Sequence, residues 1–132
     1  MQSIRVAAVS MNGWLGEPEK SLTAIGNWCG RAKAEGAELV VFPELVVHGH
    51  CMTNTWELAE AVAAGPSVKS RERLPREHDP ALSVGLRQRA KDLCDNTQVM
   101  VGPACTIGKQ LKINPRPDTA HHSRGGPALQ AL

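Results

Sequence analysis

Tyrosine is absent from this chain, phenylalanine occurs once and tryptophan three times, so aromatics make up only 3% of its 132 residues. Val, Leu, Ile and Ala must therefore supply most of any buried core. Neither sign of charge dominates: the formal net charge is +2, too small to argue for nucleic acid or an anionic membrane as partner. No apolar run approaches the roughly 20 residues needed to cross a bilayer. The N-terminus has no basic stretch leading into a long apolar segment, so nothing there reads as a signal peptide. Four cysteines (Cys29, Cys51, Cys94, Cys105) include no close-spaced pair. Without a secretion signal they read as free thiols, which implies a reducing, cytoplasmic setting. Glycine-rich phosphate loops, serine nucleophile elbows and internal repeats are all missing.

What is present reads as one globular α/β domain. Hydrophobic residues make up 42% and charged ones 21%, in the range of folded rather than disordered chains, and the length suits a core of ordinary size. The residues Ile4 to Val9 are apolar apart from Arg5 and predict a central strand. Pro18 fits the first turn of a helix, with Glu17 and Glu19 at its positive end. Leu22, Ile25, Cys29 and Ala32 form its apolar stripe, and Gly36 is a left-handed cap that ends it. Strand, helix and strand in this order imply parallel strands joined by a right-handed crossover.

The chain is organised around Glu38-Leu39-Val40-Val41-Phe42-Pro43-Glu44-Leu45. The uninterrupted apolar run reads as a strand buried on both faces. Pro43 has no N–H to give the ladder, so the strand ends there and Glu44 follows at once. Carboxyl ends of strands are where open α/β sheets bind ligands. A carboxylate beside apolar walls is expected to have a raised pKa, which suits a general base.

Further on, Asn54 and Glu57 predict a capping box for a short helix through Leu58, Ala59 and Val62. The mixed charges and prolines from Gly65 to His78 predict an exposed loop. Asp79 as cap and Pro80 at the first position predict a second long helix, with Leu82, Leu86, Ala90 and Leu93 inward and Arg87, Arg89 and Lys91 outward. Gln98 to Gly102 reads as a third strand. Apolar periodicity fades after that, so the chain divides into a folded part, 1–102, and an irregular Pro/Gly/His-containing tail, 103–132. His48-Gly49-His50-Cys51 can start a metal site if its backbone is extended, which puts both histidines on one face. A structural zinc would need two more ligands, from Cys105, His121 or His122.

Val41-Phe42-Pro43-Glu44-Leu45 closely resembles the segment that carries the catalytic glutamate in the nitrilase superfamily of carbon–nitrogen hydrolases. The first strand around Ile4–Asn12 and the helix end at Ala32–Glu38 resemble their counterparts in that family. The resemblance implies a partial four-layer αββα sandwich and a Glu–Lys–Cys mechanism. In that chemistry a cysteine thiolate attacks a nitrile or amide carbon and water hydrolyses the thioester that forms. Glutamate acts as base, and lysine stabilises the charge of the tetrahedral intermediate. Glu44 takes the base position. Thr106 to Pro115 resembles the stretch around the family lysine, with Lys112 in that role. The nine residues between Gly102 and Lys112 are too few for the hairpin that the family places there. No cysteine follows Cys105, so the nucleophile is missing.

The reading is therefore part of a cofactor-independent hydrolase of amide, carbamoyl or nitrile substrates, inactive alone, self-associating and holding no metal. The alternatives are a non-catalytic degenerate copy that at most self-associates, or a small metal-binding module around His48 and Cys51.

Overall fold

The computed structural model describes residues 3–50, 55–62, 79–103, 105–115 and 125–129. In chain order its elements are β1 (Val6–Ala8), α1 (Pro18–Ala34), β2 (Leu39–Val41), α2 (Thr55–Leu58), β3 (Ala81–Ala90), β4 (Leu93–Val101) and β5 (Thr106–Leu111). The strands join in one sheet of order β1-β2-β3-β4-β5. β1, β2 and β3 run parallel, and β4 and β5 extend the sheet as an antiparallel meander.

Helix α1 forms where the sequence places it. Pro18 stands at its start, and Gly36, at φ +76°, turns the chain away from its end. Ser21, Ile25, Cys29 and Ala32 are its buried residues, with Ser21 further inside than Leu22. Gly26 and Gly30 each disfavour a helix by about 1 kcal/mol relative to Ala. Burying Ile25 alone contributes about 1.5–3 kcal/mol, so packing on the sheet, and not intrinsic propensity, holds α1 in place.

Strand register divides the sheet into two unlike faces. Ala7, Val40, Leu82 and Val101 line up across four strands. With Val84, Leu86 and Val99 they form the core against Ile25, Cys29 and Ala32 of α1. The opposite face carries Val6, Leu39 and Ala81, then Ala8, Val41, Ser83 and Met100. Val6 and Ala8 are exposed and the others half-buried. β2 is thus deeply buried on one face only, with Val40 inaccessible and Leu39 and Val41 not. β1, expected at the centre, lies at the edge of the described sheet.

The largest correction concerns residues 79–93. The helix expected there is strand β3 and the start of β4. Leu82, Leu86 and Ala90 fit a four-residue step, but Leu82, Val84 and Leu86 also fit a two-residue step, and all three are buried. Val84 and Gly85 are poor helix residues, and pairing with β4 over nine residue pairs, from Leu82↔Val101 to Ala90↔Leu93, settles the choice. Lys91, at φ +54°, makes the tight turn between the strands. Asp79 does not cap a helix: its carboxylate accepts a 2.9 Å hydrogen bond from Lys33 Nζ of α1. Arg87, expected to point outward, is buried.

Residues beyond Gly102 are not irregular throughout. β5 pairs with β4 after a turn in which the Gly102 N–H donates to the Cys105 carbonyl at 2.8 Å. The hairpin thought not to fit before Lys112 is present, because its first strand starts at Leu93, well upstream of Gly102. Asn54 as a cap, the loop from Gly65 to His78, Cys51, His121 and His122 lie outside the described residues. α2 itself ends at Leu58, earlier than expected.

Candidate active site

The site begins with a break in pairing after β2. The Phe42 N–H donates to Ser83 O at 2.8 Å, and the next donor to β3 is Val47, whose N–H reaches Gly85 O at 3.2 Å. A regular parallel strand would reach Gly85 from the residue two beyond Phe42. Here it is five beyond, so three extra residues loop out of the sheet. Pro43, which has no N–H, starts the loop, and Leu45 turns it at φ +52°.

The loop folds over Gly85. A Cβ there would lie 2.4 Å from the Leu45 nitrogen and 2.7 Å from the Pro43 oxygen, both backbone atoms. Only the absence of a side chain lets the two segments approach so closely. Further along β3, the buried His48 ring takes the place of a strand. Its Nδ1 accepts the Arg87 N–H at 3.1 Å, which leaves the ring's proton on Nε2, 3.4 Å from Glu60 Oε1. His48 and Glu60 thus clamp the far end of the loop to the sheet.

Glu44 emerges at the C-terminal end of the parallel strands, on the face opposite α1. Register puts Asn96, Gln98 and Gln110 on that same face, and Lys112 continues the alternation past the end of β5. Lys112 Nζ donates to Glu44 Oε1 at 2.8 Å, and Asn96 Nδ2 donates to the same oxygen at 2.5 Å. No described residue donates to Oε2. The Lys112 N–H in turn donates to the Asn96 carbonyl at 2.9 Å, and its own carbonyl accepts the Gly126 N–H at 2.9 Å. Glu44 and Lys112 side chains are 43% and 34% exposed. An ion pair that open to water contributes no more than about 1 kcal/mol to stability, so the contact orients groups more than it holds the fold.

Electrostatics at Glu44 run opposite to the sequence expectation. Partial burial pushes its pKa up, but hydrogen bonds from Lys112 and Asn96 and the charges of Lys112 and His50 outweigh it. The net pKa lies below the ordinary 4.5, so the carboxylate is ionised at neutral pH. Such a group, beside an ammonium and with one oxygen unengaged among the described residues, can accept a proton while its neighbour stabilises negative charge.

The two residues singled out from sequence, Glu44 and Lys112, therefore come together, although 68 positions separate them. Asn96 and Gly85 were missed. The metal alternative fares differently. His48 is buried and engaged while His50 is exposed, so the two imidazoles do not share a face as expected. Among the described residues no group of three or more His, Cys, Asp or Glu side chains could hold a metal ion, and no helix is long and apolar enough to cross a membrane.

The profile of the family Carbon-nitrogen hydrolase matches residues 5–127. A nitrilase from Pyrococcus abyssi is 30% identical over 114 residues, 84% of this chain and 44% of that protein. The crystal structure of an amidase from Nesterenkonia sp. superposes with a TM-score of 0.77 at 20% identity, over 95% of this chain and 49% of the amidase. A glutamine-dependent NAD+ synthetase from Acinetobacter baumannii gives a TM-score of 0.79 at 20% identity, over all of this chain and 26% of the synthetase. The chain thus spans about half the length of the nitrilase and the amidase, and shares the α/β fold of the amidase over that span. With its sheet, its Glu44 segment and the profile match running nearly end to end, the chain belongs to the carbon–nitrogen hydrolase family.

Proposed function

We propose that this chain carries the base and the lysine of a hydrolase acting on non-peptide carbon–nitrogen bonds in small amides, carbamoyl compounds or nitriles. The observation that carries the reading is the convergence of Lys112 and Asn96 on Oε1 of Glu44, with no donor to Oε2 among the described residues. In the proposed reaction Oε2 of Glu44 takes the proton of the attacking thiol. The Lys112 ammonium then donates to the oxyanion, or imide-like nitrogen, that develops on the substrate. Support for a small carbon–nitrogen substrate comes from the family and from a variant of the Nesterenkonia amidase that was solved in complex with butyramide.

The thiol itself is the missing part. No cysteine follows Cys105 in the sequence, and Cys29 and Cys94 are buried in the core. We read the chain, which spans about half the length of the relatives it matches, as a part that does not turn over by itself and that associates with further copies. Losing one member of a nucleophilic unit typically removes several orders of magnitude in rate. The second reading is a non-catalytic copy.

The test is to assay the purified protein against a panel of small amides, carbamoyl amines and nitriles, beside Glu44→Gln and Cys51→Ala. No turnover in any of the three is expected. Turnover that disappears in both variants would make Cys51 a nucleophile and overturn the inactive assignment. Sequencing the DNA beyond the Leu132 codon separates the two readings. An open frame with a cysteine-bearing segment supports the hydrolase, and its absence supports the non-catalytic copy.

A further inference from the structure

Asn96 was not among the residues that the sequence marked for chemistry, yet it contacts both that were. Its side-chain amide donates to Glu44 Oε1, and its backbone carbonyl accepts the Lys112 N–H. One residue in the middle of β4 thereby fixes the lysine's backbone and the glutamate's carboxylate together. We propose that Asn96 is the positioning residue of this site: it pins Oε1 as the structural oxygen of Glu44 and so assigns proton acceptance to Oε2. The inference rests on the reading of Glu44 as base.

Three observations support this role. Glu44 sits on a loop that has left the sheet, so its backbone alone does not determine where the carboxylate points. Lys112 is a flexible side chain with three rotatable donors and can satisfy either oxygen. Asn96 is different, because it belongs to a strand paired on both sides, with Arg87 of β3 opposite it and β5 beyond. Its short side chain has few rotamers, and an amide N–H₂ can only donate. A rigid donor on one oxygen selects the rotamer of the carboxylate, and the mobile lysine then joins the same oxygen. This also keeps Lys112 on the Oε1 side, clear of the proton-accepting edge.

The geometry gives a test that needs no turnover. Glu44 carries a carboxyl whose titration can be followed by carbon-detected NMR in the whole chain. Asn96→Leu removes the donor with little change in size, and Asn96→Ser replaces it with a hydroxyl too short to reach Glu44. Either variant keeps the Asn96 carbonyl, so protection of the Lys112 amide from hydrogen exchange reports whether β4 and β5 remain paired. The expected result is a Glu44 titration midpoint moved upward in each variant that keeps this protection, with the Lys112 amide unchanged. Lys112→Met, measured alongside, is expected to raise the midpoint as well. A midpoint raised by Lys112→Met but not by the Asn96 variants would overturn the positioning role and leave the Glu44–Lys112 pair standing. A midpoint moved by none of the substitutions would remove the pair itself, and with it the reading on which this inference rests.

Discussion

Gly85 lies directly under Leu45, and a Cβ on it would stand 2.4 Å from the Leu45 backbone nitrogen. The neighbouring atoms are backbone and belong to the segment that presents Glu44, so they cannot move aside without moving the carboxylate. Gly85→Ala is expected to destabilise the protein by about 1–3 kcal/mol, the usual effect of overpacking. Gly30, on the exposed side of α1, has nothing within 4 Å of the corresponding position. Gly30→Ala should therefore stabilise by about 0.5–1 kcal/mol. Urea unfolding of the two variants checks the opposite signs. A neutral Gly85→Ala would mean that the loop is not seated on β3 as described.

Acid stability should reflect Glu44. Its folded-state pKa is below 4.5 because the contacts from Lys112 and Asn96 outweigh partial burial. Between the folded value and 4.5 the unfolded chain therefore binds more protons than the folded one, and stability rises with pH across that window. The contribution is complete above 4.5 and is lost as the pH falls through the folded value. With a side chain 43% exposed, its size is less than about 1 kcal/mol. Glu44→Gln should flatten this part of the stability curve, followed by denaturant midpoints between pH 3 and 6, on the order of the carboxylate range. A steeper acid limb in the variant would contradict the lowered pKa.

Thiol chemistry should separate the cysteines. Cys94 is inaccessible, and burial pushes its pKa up from 9.0, against the pull of Arg87 and Arg89. Cys29 is buried as well, whereas Cys105 is exposed. Alkylation of the native protein followed by peptide mapping should label Cys105 ahead of Cys29 and Cys94, which should react only on unfolding. Fast labelling of Cys94 would place its strand outside the core.

These outcomes also mark what could be read in the sequence and why. The β1–α1–β2 unit was legible because its signals are local and agree: a proline at the helix start, a left-handed glycine at its end, and one apolar stripe. Glu44 was legible because the change from apolar run to Pro43 happens within two residues. The meander was misread because its turn lacks the usual marks. Lys91-Asp92 carries no glycine or asparagine at the left-handed position, so Ala90 to Leu93 looked like a continuing helix. Once that turn is missed, Asn96 cannot be found. It faces Glu44 only because β4 runs back alongside β3, and the two are 52 positions apart.

The sheet face opposite α1 should drive self-association. Val6 is 50% exposed there, and Ala8, Val41 and Met100 share the face. Val40, between Leu39 and Val41, is on the covered side and takes no part. An apolar surface of this kind on an isolated sheet invites a partner. Light scattering should find dimers or larger species, and Val6→Lys should shift them toward monomer. A monodisperse monomer with cooperative thermal unfolding would refute the idea.

The wide spacing of the Glu44 contacts also bears on how the molecule assembles. β1, α1 and β2 can form within the first 41 residues, and β3, β4 and β5 can zip as two successive hairpins between Ala81 and Leu111. Within each unit no paired strand residues are more than 33 positions apart. The hydrogen bonds to Glu44 belong to neither unit, because they bridge separations of 52 and 68 residues. Long-range contacts of this kind carry the entropy of the largest closures and form late. The carboxylate and the ammonium are thus expected to meet only when the two finished units dock along the β2–β3 seam. In pulse-labelled hydrogen exchange, protection of the Phe42 and Val47 amides should lag behind that of either unit.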